Sequence, residues 1–171
     1  IKERNASLEK SIEYIFTVSR LGAGEEFLKT KKVFVNGIIT DALNSFKNDY
    51  NGRKVNCELS EVKLNCDAEL MQSAFTNIIS NALEHTKRGS TLNIRCFNVD
   101  NDVVVEFEDN GGGIPNDKME TLFEVDKEYN SKSQHRLGLS VCKKIIEAND
   151  GKLKVANNDI GGLTVKITFK G

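Results

Sequence analysis

No apolar run in this 171-residue chain approaches the roughly 18 residues that a membrane-spanning helix requires. A span is therefore not expected, and the first residues lack the charged, apolar and small-residue zones of a secretory signal. Net charge is equally lacking. Against 25 Asp and Glu stand 24 Lys and Arg, leaving −1, too little to draw the chain to nucleic acid or an anionic membrane. Cys-x-x-Cys pairs are absent as well: Cys57, Cys66, Cys96 and Cys142 are scattered, which argues against a zinc knot or disulfide framework and for reduced thiols in a soluble, cytosolic protein. There is no internal repeat, no Gly-Lys-Ser/Thr of a Walker A loop and no G-x-G-x-x-G opening a helix. The chain starts at Ile1 rather than Met and is read as a piece of a longer polypeptide. What is present suits a folded domain, since hydrophobic residues make up 39% and charged residues 29%. The length fits one domain, or one domain with an appended element.

Ile1, Leu8, Ile12, Ile15 and Phe16 recur at helical spacing among polar residues, predicting an amphipathic helix to about Leu21 that needs a partner. Gly22 and Gly24 break it. A short strand is expected at Val33 to Val35 and a second helix from about Ile38 to Phe46, closed by the Asn51-Gly52 turn. Arg53 to Leu64 reads as one or two strands, after which Asp67 is placed to cap the next helix, about Ala68 to Lys87. Leu92, Ile94 and Cys96, then Val103, Val105 and Phe107, alternate with polar residues around Asn101-Asp102, a hairpin signal. A helix is expected from about Leu137 to Ala148. Leu153 and Val155, then Leu163, Val165, Ile167 and Phe169, form strands with one apolar face. The polar stretch from about Met119 to Arg136 reads as a mobile loop. Helices and strands mix without regular βαβ alternation, so a two-layer α/β sandwich is predicted.

Three segments are suited to chemistry. On the helix beginning near Ala68, Asn77, Asn81, Glu84 and Arg88 fall within roughly a 60° arc beside the buried stripe. That edge reads either as a solvated face or as a line of ligands, because an Asn oxygen can hold Mg²⁺, a hard cation that shares its oxygens with phosphates. The second segment, Glu108-Asp109-Asn110-Gly111-Gly112-Gly113-Ile114-Pro115, leaves a strand with three consecutive glycines. Without Cβ atoms a ligand can approach its backbone closely, and Asp109 supplies a carboxylate there. A plain surface turn needs fewer glycines. The third, Leu137-Gly138-Leu139-Ser140, opens a helix behind several basic residues, which suits an anion.

In this order and spacing the segments resemble the ATP-binding boxes of the sensor histidine kinases, within the superfamily that includes DNA gyrase and the mismatch-repair ATPases. Asn77-Ile78-Ile79-Ser80-Asn81-Ala82 is similar to the N box and Asp109 to Ile114 to the first glycine box. Leu122-Phe123-Glu124 resembles the phenylalanine box, and Leu137 to Ser140 the second glycine box. The stretch ending in Val18-Ser19-Arg20-Leu21-Gly22-Ala23-Gly24 is similar to the last helix of the dimerisation and phosphoacceptor domain. The resemblance implies residues 1–24 from that helical domain and residues 33–171 as a catalytic domain. It further implies an α+β fold with a mixed sheet of about five strands and three helices on one face.

The function implied is transfer of the γ-phosphoryl group of MgATP to a histidine outside this chain. Asn77 and Asn81 would be the catalytic pair, with Asn81 holding Mg²⁺ and Asn77 helping to hold phosphates and metal. Asp109 would accept from the adenine amino group, His85 would lie against the base, and Gly111, Gly113 and Ile114 would form its pocket. Arg136, Leu137, Gly138 and Leu139 would meet the phosphates, and Thr164 would reach adenine through a water. The implied partners are the phosphoacceptor domain of the same parent and a response regulator. The parent would be a homodimer in the cytoplasm, free or membrane-anchored, with no nucleic acid bound. Neither His85 nor His135 stands in a phosphoacceptor motif. Two departures stand out: family members often carry Lys where this chain has Glu84, and the second glycine box keeps one glycine where G-x-G-L-G-L is common. Arg136 would either compensate with charge-assisted bonds to phosphate or mark a lid with altered closure. Hydrolytic relatives carry a general-base Glu at the position of Asn77. Two rivals share the boxes, a non-catalytic nucleotide- or partner-binding scaffold and an anti-sigma-factor-type serine kinase. The second has no need of the N-terminal helix.

Overall fold

The computed structural model describes residue 12 and residues 15–22, 28–46, 50–123 and 134–171, with no side chain described for residues 134–137. Helical residues 15–22 (α1) are followed by β1 (Thr30–Phe34), α2 (Val35–Asn44), β2 (Lys54–Leu59), β3 (Lys63–Asp67) and α3 (Ala68–His85). Then come β4 (Thr91–Val99), β5 (Asp102–Asp109), the single turn α4 (Asn116–Met119), α5 (Gln134–Ala148), β6 (Gly151–Asn157) and β7 (Leu163–Phe169).

Five strands form a mixed sheet in the order β2-β4-β5-β7-β6, in which β2 runs parallel to β4 and the other neighbours are antiparallel. A parallel pair needs a long crossover. Here β3 and α3 supply it. The inward residues Leu92, Ile94, Val105, Phe107, Val165, Ile167 and Phe169 meet the buried stripes of α2, α3 and α5 in one core. The opposite face is polar, where Glu106 is paired with Arg95 and Lys166, both at 3.0 Å. The two-layer sandwich expected from the pattern, with the α+β mixed sheet that the resemblance implied, is the architecture found.

Helix α3 shows how sequence sets an element. Leu70, Met71, Ala74, Phe75, Ile78, Ile79 and Leu83 give the three-four spacing of a buried stripe. Phe75 meets Phe107 of β5 with ring centroids 5.7 Å apart. At the start Asp67 caps the helix, its Oδ1 accepting from Leu70 N at 3.2 Å. Its Oδ2 accepts from Lys29 N at 2.9 Å and from Arg20 at 2.7 Å, so the end of α1 is tied to the start of α3. Asn149, just after α5, accepts from Asp67 N at 2.8 Å. Asp67 is 1% exposed and has these partners on every side.

Several boundaries shift. The strand expected at Val33 to Val35 is β1, paired with β3, and Val35 instead opens α2 as the first member of its buried set Val35, Ile38, Ile39 and Ala42. The β4–β5 turn falls on Asp100 and Asn101, Asp100 taking φ +52°, so Asp102 already belongs to β5. Gly22 is still helical. Ile15 and Phe16 are each 65% exposed, and no described residue covers that part of the apolar stripe. The expected loop from Met119 to Arg136 lies largely outside the described residues, as do Ile1 and Leu8, while Gln134 already belongs to α5. None of the four cysteines forms a disulfide, Cys142 Sγ instead donating to Ala74 O at 3.4 Å, and burial pushes the Cys66 and Cys96 thiols up to about 11.

Candidate nucleotide site

Between the C-terminal half of α3, the ends of β5 and β7 and the start of α5 lies a cavity of about 380 Å³. Its walls are largely apolar side chains that continue the core, including Ile78, Leu92, Phe107, Leu139, Leu163 and Val165. The core layer opens here, where β5 gives way to the glycine loop. Polar groups are few, and they come from Asn81, His85, Thr86 and Asp109. A flat apolar ligand with a small number of polar edges fits such a lining.

Asp109, the last residue of β5, is 8% exposed. Burial pushes its carboxyl above the usual carboxylate range, opposed by two backbone donors and reinforced by nearby Glu108. Both donors, Gly111 N at 2.8 Å and Leu163 N at 3.4 Å, converge on Oδ1. Asp109 lines the cavity, and its Oδ2 is the oxygen these donors leave available to a ligand N–H group.

The loop after Asp109 carries its glycines for two physical reasons. A Cβ on Gly111 would run into the side chain of Thr86 and come 3.0 Å from its Cα. Gly113 takes φ +65°, and a Cβ there would sit 2.5 Å from Asn157 Oδ1. Gly111, Gly113 and Ile114 all line the cavity. Thr86 follows α3 with extended backbone, its hydroxyl donating to Ala82 O at 2.6 Å. The Arg53 guanidinium donates to the Thr86 carbonyl and, at 3.3 Å, to its hydroxyl.

Asn81 lines the cavity from α3, and its Nδ2 is buried with no hydrogen-bond partner among the described residues. An amide turned about its last torsion exchanges N and O, so this unsatisfied end can offer oxygen to a cation. Among the described residues no group of three or more His, Cys, Asp or Glu side chains is gathered to hold a metal. A hard cation arriving with phosphates suits a lone amide oxygen, because the phosphates bring most of its ligands. The Asn81 position therefore fits Mg²⁺ carried by a nucleotide. Gly138 lies against it, a Cβ there falling 3.5 Å from Asn81 Nδ2.

Of the residues singled out from sequence, Asn81, His85, Asp109, Gly111, Gly113, Ile114 and Leu139 line one cavity. Asn77 sits half-buried one turn before Asn81 and is not part of the lining. Thr164 also lies outside it, paired with Glu108 across the sheet and accepting from Asn158 Nδ2 at 3.3 Å. Arg136 and Leu137 are in α5, but their side chains lie outside the described residues, and so does Glu124 of the phenylalanine-box segment. Glu84 is exposed and accepts from Ser80 Oγ at 2.7 Å, turned along its own helix. Sequence reasoning missed Thr86, which read as the helix end, and the apolar wall, which read as core. It also missed Asn157 and Asn158. Their signal was a polar pair before Gly161-Gly162, at the turn facing the glycine loop.

Residues 66–171 match the family model described as histidine kinase-, DNA gyrase B- and HSP90-like ATPase. The sensor protein KdpD of Clostridium acetobutylicum is 27% identical over 176 residues, 99% of this chain and 20% of that protein. The signal transduction histidine-protein kinase BaeS of Escherichia coli is 30% identical over 108 residues, covering 59% of this chain and 23% of its own length. The chain thus spans about a fifth to a quarter of these relatives. In fold it resembles the Acinetobacter baumannii histidine kinase AdeS, with TM-score 0.75 at 21% identity over 93% of this chain and 76% of that one.

Proposed function

Because this chain belongs to the histidine kinase-, DNA gyrase B- and HSP90-like ATPase family, we propose that it is the ATP-binding catalytic domain of a sensor histidine kinase. The γ-phosphoryl group would pass to a histidine outside these 171 residues. One observation carries the reading: an apolar cavity with a single buried carboxylate, Asp109, on one wall and an unsatisfied amide, Asn81, on another. MgATP, when bound, supplies the phosphoryl group and a cation that offsets phosphate charge.

The chain's own residues do the rest. Asp109 Oδ2 accepts from the adenine amino group, while Ile78, Phe107 and Ile114 bury the ring and exclude water. Asn81 offers its oxygen to the metal, and Asn77 stands one turn back on the same side of α3, toward the phosphates. His85 covers the outer edge of the base. Neither Asn side chain has a basic site near neutral pH, so neither draws a proton from water. An incoming imidazole needs no such help, being nucleophilic when neutral. Catalysis is then positioning and charge neutralisation. Arg136, Leu137, Gly138 and Leu139, at the start of α5, belong to the phosphate end, and Thr164 is assigned to adenine through a water. The parent would dimerise through the helical domain that α1 continues and hand its phosphoryl group to a response regulator in the cytoplasm. No helix among the described residues is long and apolar enough to cross a membrane.

The test is reconstitution. With the parent's phosphoacceptor domain supplied separately, γ-labelled ATP should label a histidine of that domain only when this chain is present. Label on a serine, or none with ATP bound, sinks the kinase assignment.

A further inference from the structure

We infer that Asn157 is a positioning residue for the adenine pocket, acting as a side-chain clamp on the glycine loop; the inference rests on the nucleotide reading above and names a device within it. The problem it answers is mechanical. Gly111, Gly112 and Gly113 have no side chains with which to pack, so beyond the bond from Gly111 N to Asp109 Oδ1 the loop's path must be fixed from outside, and the backbone freedom lost on ordering glycines is the largest of any residue. Yet Ile114, next in the chain, must stand at one place to form the pocket wall.

Asn157 meets that need from the end of β6. Its Oδ1 accepts from Ile114 N at 2.8 Å, and its Nδ2 donates to Ile114 O at 2.8 Å. A single carboxamide thereby gives Ile114 both bonds that a neighbouring strand would give, at a point where no strand runs alongside. The approach is close enough that Gly113 tolerates no Cβ beside it. The next residue extends the grip. Asn158 Nδ2 donates to Asp109 O at 2.9 Å, and Asn158 Oδ1 accepts from Gly162 N at 2.8 Å. One further backbone bond, Gly112 N to Gly161 O at 2.9 Å, joins the two loops between these points. The turn after β6 thus holds the glycine loop at entry, middle and exit, and Asn157 holds the exit, where the loop becomes pocket wall. Asn157 itself is exposed and contributes nothing to the core. Its bonds shape the site without carrying the fold.

The experiment compares the wild-type chain with Asn157→Ala and Asn157→Asp, reading ATP and ADP dissociation constants, melting temperature and amide exchange at Ile114. Both variants should weaken ATP and ADP alike, about tenfold or about 1.4 kcal/mol, because the clamp acts on the base end that the nucleotides share. Melting temperature should hold while exchange at Ile114 accelerates. Asp is the discriminating change: it keeps the size of Asn but sets an oxygen against Ile114 O, so a packing role predicts wild-type affinity and a clamp predicts loss. Unchanged nucleotide affinity in Asn157→Ala, wild-type affinity in Asn157→Asp, or unchanged exchange at Ile114 overturns the assignment. If the wild-type chain binds neither nucleotide, the nucleotide reading itself falls, and this inference with it.

Discussion

Replacing Asp109 by Asn changes one buried oxygen into an N–H₂ group at nearly constant shape. The carboxamide oxygen can take over the two donors now on Oδ1, from Gly111 N and Leu163 N. The fold should then lose little, within about 1 kcal/mol, since the substitution also removes a charge that burial disfavours. Binding fares differently. The atom left to the ligand becomes a donor facing the adenine amino donor, and a hydrogen bond to a charged acceptor is lost, worth about 2 to 3 kcal/mol. That corresponds to roughly 30- to 160-fold in the dissociation constant. The pH dependence adds a second signature. Asp109 has its carboxyl raised above 3.8 by burial, so the folded state holds its proton more tightly than the unfolded one. Wild-type stability should therefore fall, relative to Asp109→Asn, as pH rises from about 3.8 through the folded value, and level off above it. Wild-type ATP affinity should fall relative to the variant as pH drops through that same folded value, because the charged acceptor disappears. Calorimetric titration of both proteins across this range, with melting curves alongside, reads both effects. An unchanged dissociation constant for ATP, or a loss matched by equal destabilisation, would refute the adenine role.

Asn81→Ala should remove the Mg²⁺-dependent part of ATP affinity while leaving helix α3 intact, since Ala is the better helix former; equal affinity with and without Mg²⁺ in both proteins would contradict the metal assignment. Asp67→Ala should cost roughly 2–4 kcal/mol in denaturant unfolding, because Leu70 N, Lys29 N and Arg20 all lose their acceptor, yet ATP affinity of the folded protein should persist. Incubated alone with γ-labelled ATP, the chain should release phosphate very slowly and acquire no label; brisk release would favour an ATPase, and stable label would place the acceptor within these residues.

Elements with a one-sided environment are legible in the amino-acid pattern. The stripe of α3, its Asp67 cap and the alternation in β4, β5 and β7 all follow from one buried face. Strand β1 is legible only at its end, Val33 and Phe34, because Thr30, Lys31 and Lys32 are exposed and their pairing with β3 is a backbone matter that leaves no apolar alternation. Val35 read as strand because it is β-branched, yet its burial with Ile38 and Ile39 decides for helix. The site divides the same way. Asn81, Asp109 and the glycines were visible because amides in a strong helix and three adjacent glycines are locally costly. Ile78, Phe107 and Val165 were hidden because a cavity wall obeys the same periodicity as a core. Asn157 and Asn158 were hidden because a polar turn declares its partner only once the fold brings residue 114 beside it.

The central claim is that the cavity beside Asp109 holds adenine, and competition between purines tests it most directly. Guanine carries an oxygen where adenine carries its amino group, so it would set an acceptor against the Asp109 carboxylate. Titrated into the chain with Mg²⁺ present, ATP should bind at one saturable site and GTP should not displace it at concentrations where unlabelled ATP does. Equal competition by GTP, or no saturable ATP binding at all, would contradict the account.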